Sequence, residues 1–283
     1  MDELVAAVMA GRKYRLVDRR LVERLAADEL RKPTGAAEKV RAVRGRLHQA
    51  VGAYQVGEPR YDRWLAALRR AEGDREALQA ACLEAMRGHA STRERLPILE
   101  RFYGAVMPVG AVSVVDVGCG LNPLAIPWMR LAPGARYRAY DVAGDLVAFL
   151  NAALPLLGVD GRAETCDVAH DPTCLERGAD VALLLKLLPC LEQLEPGAAE
   201  RLVAAVDARR VVASFPTRSL GGARKGMGKT YQARFGDLLG GRPIDLPGEL
   251  VYIIPESPLP EGTIKSPPSG KGSVPSPAGG GLG

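Results

Sequence analysis

The chain has 283 residues, enough for one large domain or two small ones, and 47% of its residues are hydrophobic, enough for a sizeable core. The net charge of +5 and pI near 9.0 lean towards an anionic partner. No apolar run reaches the ~18 residues a membrane helix needs, and the start Met-Asp-Glu lacks a basic leader, so the chain reads as soluble and cytoplasmic.

The five cysteines (82, 119, 166, 174, 190) show no paired spacing and are odd in number, so reduced thiols are expected. There is no Cys-x-x-Cys and there are only three histidines, so no metal site is expected.

Residues 1–105 read as helices. Val17, Leu21, Leu25 and Leu30 recur at roughly helical spacing, as do Val40, Val43, Leu47 and Val51, and Pro33-Thr34-Gly35 separates the two. Helices are also predicted over Tyr61–Glu72 and Asp74–Arg87, the latter capped by Asp74. Residues 12–46 carry twelve Lys/Arg against five acids, a net of +7. That excess suits either a solvated helix face or a phosphate-contacting module, and because it exceeds the charge of the whole chain it favours RNA. His89-Ala-Ser-Thr-Arg-Glu-Arg95 precedes a predicted helix, Leu96–Met107, that Ser91 or Thr92 can cap. Arg93 then falls near the ligand edge of the sheet, either as a surface residue or as a partner for a carboxylate.

From residue 111 strands and helices alternate, which implies a parallel sheet with right-handed crossovers. Strands are predicted at 112–117, 136–141, 161–166, 181–186, 210–215 and 249–254, and helices at 123–131, 143–157 and 197–206. The first strand, rich in Val, runs into Asp116-Val-Gly-Cys-Gly120. Glycine there lets the backbone approach a ligand, at the strand end where doubly wound sheets bind nucleotides. Pro123 occupies the place of the third glycine of a dinucleotide fingerprint, and the Gly-Lys-Ser/Thr of a P-loop is missing. Asp-x-Gly-x-Gly at a strand end instead matches S-adenosylmethionine (SAM) methyltransferases. Asp141, ending the second strand, suits a ribose diol, and Asp167, ending the third, suits the adenine amino group.

Two later stretches bear on chemistry. After the fourth strand comes Lys186-Leu-Leu-Pro-Cys190. The Asn/Asp-Pro-Pro-aromatic turn of amino-group methylation is missing there, and Pro189-Cys190 is similar to the nucleophilic pair of cytosine-C5 methylation. A thiolate would need a nearby cation, with Lys186 the obvious candidate, and a buried structural cysteine is the simpler reading. The second stretch, Ser214 to Lys229, leaves the next strand, and residues 216–235 hold five basic residues and no acid. It suits a nucleic-acid backbone or a solvated loop. Residues 255–283, rich in Pro, Gly and Ser, read as a disordered tail.

Taken together, Arg46-Leu-His48, the 89–95 segment, Asp116 to Pro123, Leu183 to Glu192 and Ser214 to Gly222 resemble the aminoglycoside-resistance 16S ribosomal RNA methyltransferases that modify N7 of guanine 1405. The likeness is strongest to members from antibiotic producers and spans about residues 12–255. It implies a Rossmann-like SAM domain over 106–254 behind a helical extension, 1–105, that docks on the 30S subunit. By motif position, His89 and Ser91 would belong to the cofactor site, Arg93 would hold the SAM carboxylate, Gly118 would line the methionine, Asp141 would take the ribose, and Asp167 with Val168 the adenine. Leu184, Glu192 and Gln193 would close the pocket. Lys186 and Arg218 would position the RNA, with Arg41, Arg44, Arg46, Arg224, Lys225 and Lys229 on its backbone. No metal is implied, and nothing demands more than a monomer. Other targets left open by the residues are adenine N1, cytosine C5 through Cys190, or ribosome binding without catalysis.

Overall fold

In a computed structural model, residues 1–49, 54–217, 227–240 and 243–255 are described, without the side chains of 227–229 and 255. The sheet contains β1 (Ser113–Val117), β2 (Arg136–Asp141), β3 (Asp160–Thr165), β4 (Ala179–Leu185), β5 (Ala208–Pro216), β6 (Ile244–Leu246) and β7 (Glu249–Pro255), in the order β3-β2-β1-β4-β5-β7-β6. β1 to β5 pair in parallel, and β7 and β6 close the edge antiparallel. This is a mostly parallel, Rossmann-like α/β fold. Chain order reverses between β1 and β4, so the ligand crevice is expected outside their carboxyl ends.

The central strands are apolar throughout because both faces are covered. Every residue of β1 is buried, and alternate residues serve opposite cores. Val114, Leu183 and Leu185 face one core with α4 (Tyr61–Arg70), α5 (Arg75–Met86), α7 (Leu99–Val106) and α8 (Gly144–Ala153). Val115, Val117 and Leu184 face the other with α9 (Leu188–Leu194), α10 (Ala198–Ala205) and α11 (Met227–Leu239). Asp74 caps α5 by accepting the Ala77 N–H at 3.0 Å.

The first helices, α1 (Asp2–Met9), α2 (Arg19–Leu30) and α3 (Ala36–Leu47), pack a core of their own around Leu21, Leu25, Val43 and Leu47, joined by Leu194 of α9. They are fastened to the sheet by backbone bonds: Asp18 N–H to Val142 O at 2.8 Å, and Gly144 N–H to Leu16 O at 2.7 Å. Gly144 has to be glycine, because a Cβ there would stand 2.6 Å from the Leu16 carbonyl oxygen.

Several local expectations need correction. The predicted helix at 123–131 is a 3-10 run, Asn122–Trp128, since Pro127 in its interior has no amide to give an α ladder. The predicted helix at 96–107 begins earlier as α6 (Ala90–Arg95), changes to 3-10 at Leu96–Ile98 around Pro97, and resumes as α7. Neither Ser91 nor Thr92 caps it; the Thr92 hydroxyl donates back to Met86 O at 2.6 Å. α1, α9 and β6 carry too few repeats for period alone to reveal them, and α11 begins inside the stretch read as a basic loop, Ser214 to Lys229. Cys166 and Cys174 are joined as a disulfide, against the expectation of unpaired thiols, because β3 and the turn at Pro172–Cys174 bring their Cα atoms to 6.6 Å. Cys82, Cys119 and Cys190 are free. The tail at 256–283 lies outside the described residues.

Candidate functional site: a cleft at the strand ends

A cleft opens at the carboxyl ends of β1 to β4. After β1 the chain turns through Gly118 and Gly120, with φ of +59° and +51°. L side chains avoid that region, and space forbids them too. A Cβ on Gly118 would lie 2.6 Å from Leu187 Cδ1, and one on Gly120 would lie 2.9 Å from the His89 ring. The bare turn keeps the cleft floor open.

Asp141 ends β2 at the cleft. Its Oδ2 accepts the Gly120 N–H at 2.9 Å, and its Oδ1 accepts those of Val142 (2.8 Å) and Ala143 (3.1 Å). Burial raises this carboxyl, and the three amides partly offset the rise. The amides fix its direction, and Oδ2, which accepts only one of them, keeps a lone pair for a ligand hydroxyl. After β3, Cys166, Asp167, Val168 and Ala169 form the next wall, and after β4 come Leu185, Lys186, Leu187, Cys190 and Leu191.

The opposite wall comes from the N-terminal elements: Leu21 of α2, Tyr54, Tyr61 and Trp64, with His89 and Ser91. Tyr54 stacks on His89 at 5.8 Å, and Ser91 Oγ lies 2.9 Å from His89 Nδ1. Burial, then the charges of Lys186 and Arg95, push His89 down to about 4, so its ring is neutral at pH 7. The Cys190 thiol is raised by burial and sits 2.9 Å from the Tyr54 hydroxyl. It is a protonated thiol, not a poised nucleophile.

Beneath the turn runs a buried polar network. Asp116 Oδ2 accepts from Tyr137 (2.6 Å) and Asn122 (2.9 Å). Asn122 in turn accepts from Arg95 at 3.0 Å, and Arg95 forks onto Glu249 at 2.5 and 3.1 Å. Ser214 also donates to Glu249. Burial alone would raise Glu249, but Arg95 and Lys186 outweigh it and hold the carboxyl below its ordinary value.

His89, Ser91, Gly118, Asp141, Asp167, Val168 and Lys186 thus all line the cleft. Other expected contacts are not brought there. Leu184 points into the core opposite Leu185, as strand alternation requires. Glu192 turns away to accept the N–H groups of Ala199 and Gly197, at 2.9 and 3.3 Å, at the start of α10, and Gln193 is exposed outside the cleft lining. Arg93 is exposed on α6 outside the lining, without a side-chain partner among the described residues.

The cations also differ from expectation. Lys186 is only 3% exposed; its ammonium donates to Glu94 at 2.7 Å and lies 3.8 Å from Glu249, so it is committed internally. Its φ of +59° marks local strain held by that pairing. Arg44 donates to the Ala7 and Val8 carbonyls, at the end of α1. Arg46 bonds Asp28 and Leu194 O, both at 3.0 Å. These two arginines tie the N-terminal helices together and to α9. Arg41 alone of the three is exposed and without a side-chain partner among the described residues. Arg218, Arg224 and Lys225 lie outside the described residues, and Lys229 falls on α11 with its side chain undescribed. Sequence reasoning missed the cleft roles of Leu21, Tyr54, Tyr61 and Trp64, whose apolar spacing reads only as core. Among the described residues no group of His, Cys, Asp and Glu is placed to hold a metal, and no helix is long and apolar enough to cross a membrane.

Comparison with known proteins agrees with this geometry. A relative from Frankia casuarinae is 41% identical over 90% of this chain and 93% of its own, and one from Micromonospora echinospora is 36% identical over 90% and 96%. Both are 16S rRNA (guanine(1405)-N(7))-methyltransferases. The solved structure of the 16S rRNA methyltransferase RmtF in complex with S-adenosyl-L-homocysteine superposes with a TM-score of 0.77 at 31% identity, covering 90% of this chain and 98% of that one. The 16S rRNA methylase RmtB gives a TM-score of 0.74 at 28% identity, with the same coverage. The pattern of the family described as "Ribosomal RNA methyltransferase (FmrO)" runs from residue 10 to residue 245, from just before α2 into β6, and the chain belongs to that family.

Proposed function

We propose that this protein methylates N7 of guanine 1405 in 16S rRNA with SAM as donor, within the assembled 30S subunit in the cytoplasm, and so gives resistance to aminoglycosides. The observation that carries the reading is the pair of strand-end carboxylates, Asp141 after β2 and Asp167 after β3, facing one cleft beside a glycine turn too tight for any side chain. SAM when bound supplies an electrophilic methyl on a sulfonium.

The residues fit that donor. Asp141, held by three amides, is placed for the ribose hydroxyls. Asp167 is placed for the adenine amino group, with Val168 and Leu187 as apolar walls. The turn at Gly118, with His89 and Ser91, faces the methionine end. Tyr54, Tyr61 and Trp64 shield the opposite side from water.

The target atom is supported by the relatives and by the chemistry of the cleft. Guanine N7 has a free lone pair and no proton to remove, so no general base is needed. His89 is neutral but hydrogen-bonded to Ser91, Lys186 is salt-bridged to Glu94, and Cys190 is a protonated thiol. What remains is alignment of a flipped base with the methyl and sulfur. Residues 1–105 together with Arg218, Arg224, Lys225 and Lys229 are assigned to docking on the RNA, with Arg41 the exposed cation of α3.

The test is transfer of tritiated methyl from SAM to 30S subunits, 50S subunits and naked 16S RNA, followed by borohydride and aniline cleavage of the product. Label confined to 30S subunits with a chain break at guanine 1405 is expected. Label without that break would overturn the target assignment, and no label would overturn the activity. Asp141→Ala and Asp167→Ala should each weaken SAM binding at least about tenfold by calorimetry; unchanged affinity in both would overturn the pocket assignment.

A further inference from the structure

Asp167 reaches the cleft already engaged. Arg24 of α2 places two N–H groups on a single carboxylate oxygen, Oδ2, from Nε at 2.9 Å and Nη2 at 2.7 Å. Both of the carboxylate's hydrogen bonds among the described residues fall on Oδ2, leaving Oδ1 to the cleft that Asp167 lines. The pair is mostly out of solvent, with side-chain exposures of 16% and 10%.

The rest of the arrangement holds the same loop. Arg24 Nη1 donates to Glu195 at 2.9 Å. Glu195 also pairs with Arg201, whose Nη2 donates to Ala169 O at 2.8 Å. The segment from Asp167 to Ala169 is therefore gripped at a side chain by Arg24 and at the backbone by Arg201, and both guanidinium groups meet on Glu195. One turn before Arg24, Leu21 lines the cleft itself.

We infer that Arg24 is a positioning residue for the cofactor: by holding Oδ2 it fixes the Asp167 carboxylate with Oδ1 free to accept the adenine amino N–H. This inference rests on the assignment of Asp167 to adenine. It gives α2 a part in donor recognition, although its charge reads as part of an RNA-binding surface. A planar guanidinium can hold one oxygen with two donors, whereas a flexible, solvated carboxylate would lose freedom on binding the ligand.

The experiment measures calorimetric affinities of the full chain for S-adenosyl-L-homocysteine and for its 6-desamino purine analogue, which lacks the amino donor. The unaltered protein should prefer the adenine ligand about tenfold. Arg24→Gln should lose about tenfold for the adenine ligand and nothing for the analogue, so that the preference disappears. An unchanged or tightened adenine affinity, or an equal loss for both ligands, would overturn the inference, since damage to the fold alone does not see the amino group. Asp167→Ala separates the two levels. If it keeps the preference, the adenine assignment itself fails; if it abolishes the preference while Arg24→Gln keeps it, only the role of Arg24 fails. Should Arg24→Gln not fold, Glu195→Gln, which loosens the other hold on Arg24, should cut the preference about threefold, and an unchanged preference would overturn the inference.

Discussion

Asp116 offers the sharpest test of how the floor of the cleft is built. It is 1% exposed and beneath the glycine turn, with Oδ2 doubly hydrogen-bonded and Oδ1 without any partner. Burial pushes its carboxyl up from 3.8 to about 7, against the pull of Tyr137, Asn122 and Arg95. The fold therefore holds a proton that the unfolded chain releases near pH 4. Stability should fall as pH rises through the window from about 4 to about 7, and then level off. A rise of that size corresponds to roughly 4 kcal/mol, of which about 2–3 kcal/mol is lost between pH 5 and 8. Asp116→Asn keeps an oxygen for Tyr137 and Asn122 and cannot ionise. Its new amide N–H would replace the partnerless oxygen, at a cost of about 1–3 kcal/mol. The variant should be equal to or less stable than the parent at pH 5, and should gain on it by about 2–3 kcal/mol by pH 8. Equilibrium urea unfolding of both proteins across that range measures the difference. A gap independent of pH would show that Asp116 is ionised throughout, and the reasoning would fail.

Gly118→Ala combines a φ of +59° with a Cβ placed 2.6 Å from Leu187; it should lower stability by about 1–3 kcal/mol in urea unfolding and weaken SAM binding in calorimetry, and a neutral result on both would remove the steric argument. Arg95→Met strips Glu249 of its forked partner and leaves a buried charge; a loss of about 3–5 kcal/mol is expected by denaturation, whereas a loss under 1 kcal/mol would mean that the network is dispensable. Cys190→Ser should retain methyl transfer to 30S subunits within about threefold, because burial keeps the thiol protonated and no step uses it; abolished turnover would instead support cytosine C5 as the target.

The catalytic architecture was legible where its signals are local. A Val-rich strand, two glycines and an acid at the end of each of the next two strands lie within short segments, and parallel topology then brings Asp141 and Asp167 to one edge whatever the details of packing. Strand alternation was equally local, yet the choice of face was not: Leu184 and Leu185 are both apolar, and only the helices packed on each side direct the first to one core and the second to the other, where it also borders the cleft.

By itself, then, the sequence determined the Rossmann-like sheet, the glycine turn, the two acids that line the cleft and the cationic character of the front end. Only the tertiary structure decided which of those cations are free. Arg24 meets Asp167 across 143 residues, Arg46 meets the Leu194 carbonyl across 148, and Lys186 is buried against Glu94 and Glu249. A charge count registers each as available to RNA, because pairing is a property of distance in space, and a guanidinium or ammonium beside a carboxylate within 3 to 4 Å has its charge largely spent inside the fold.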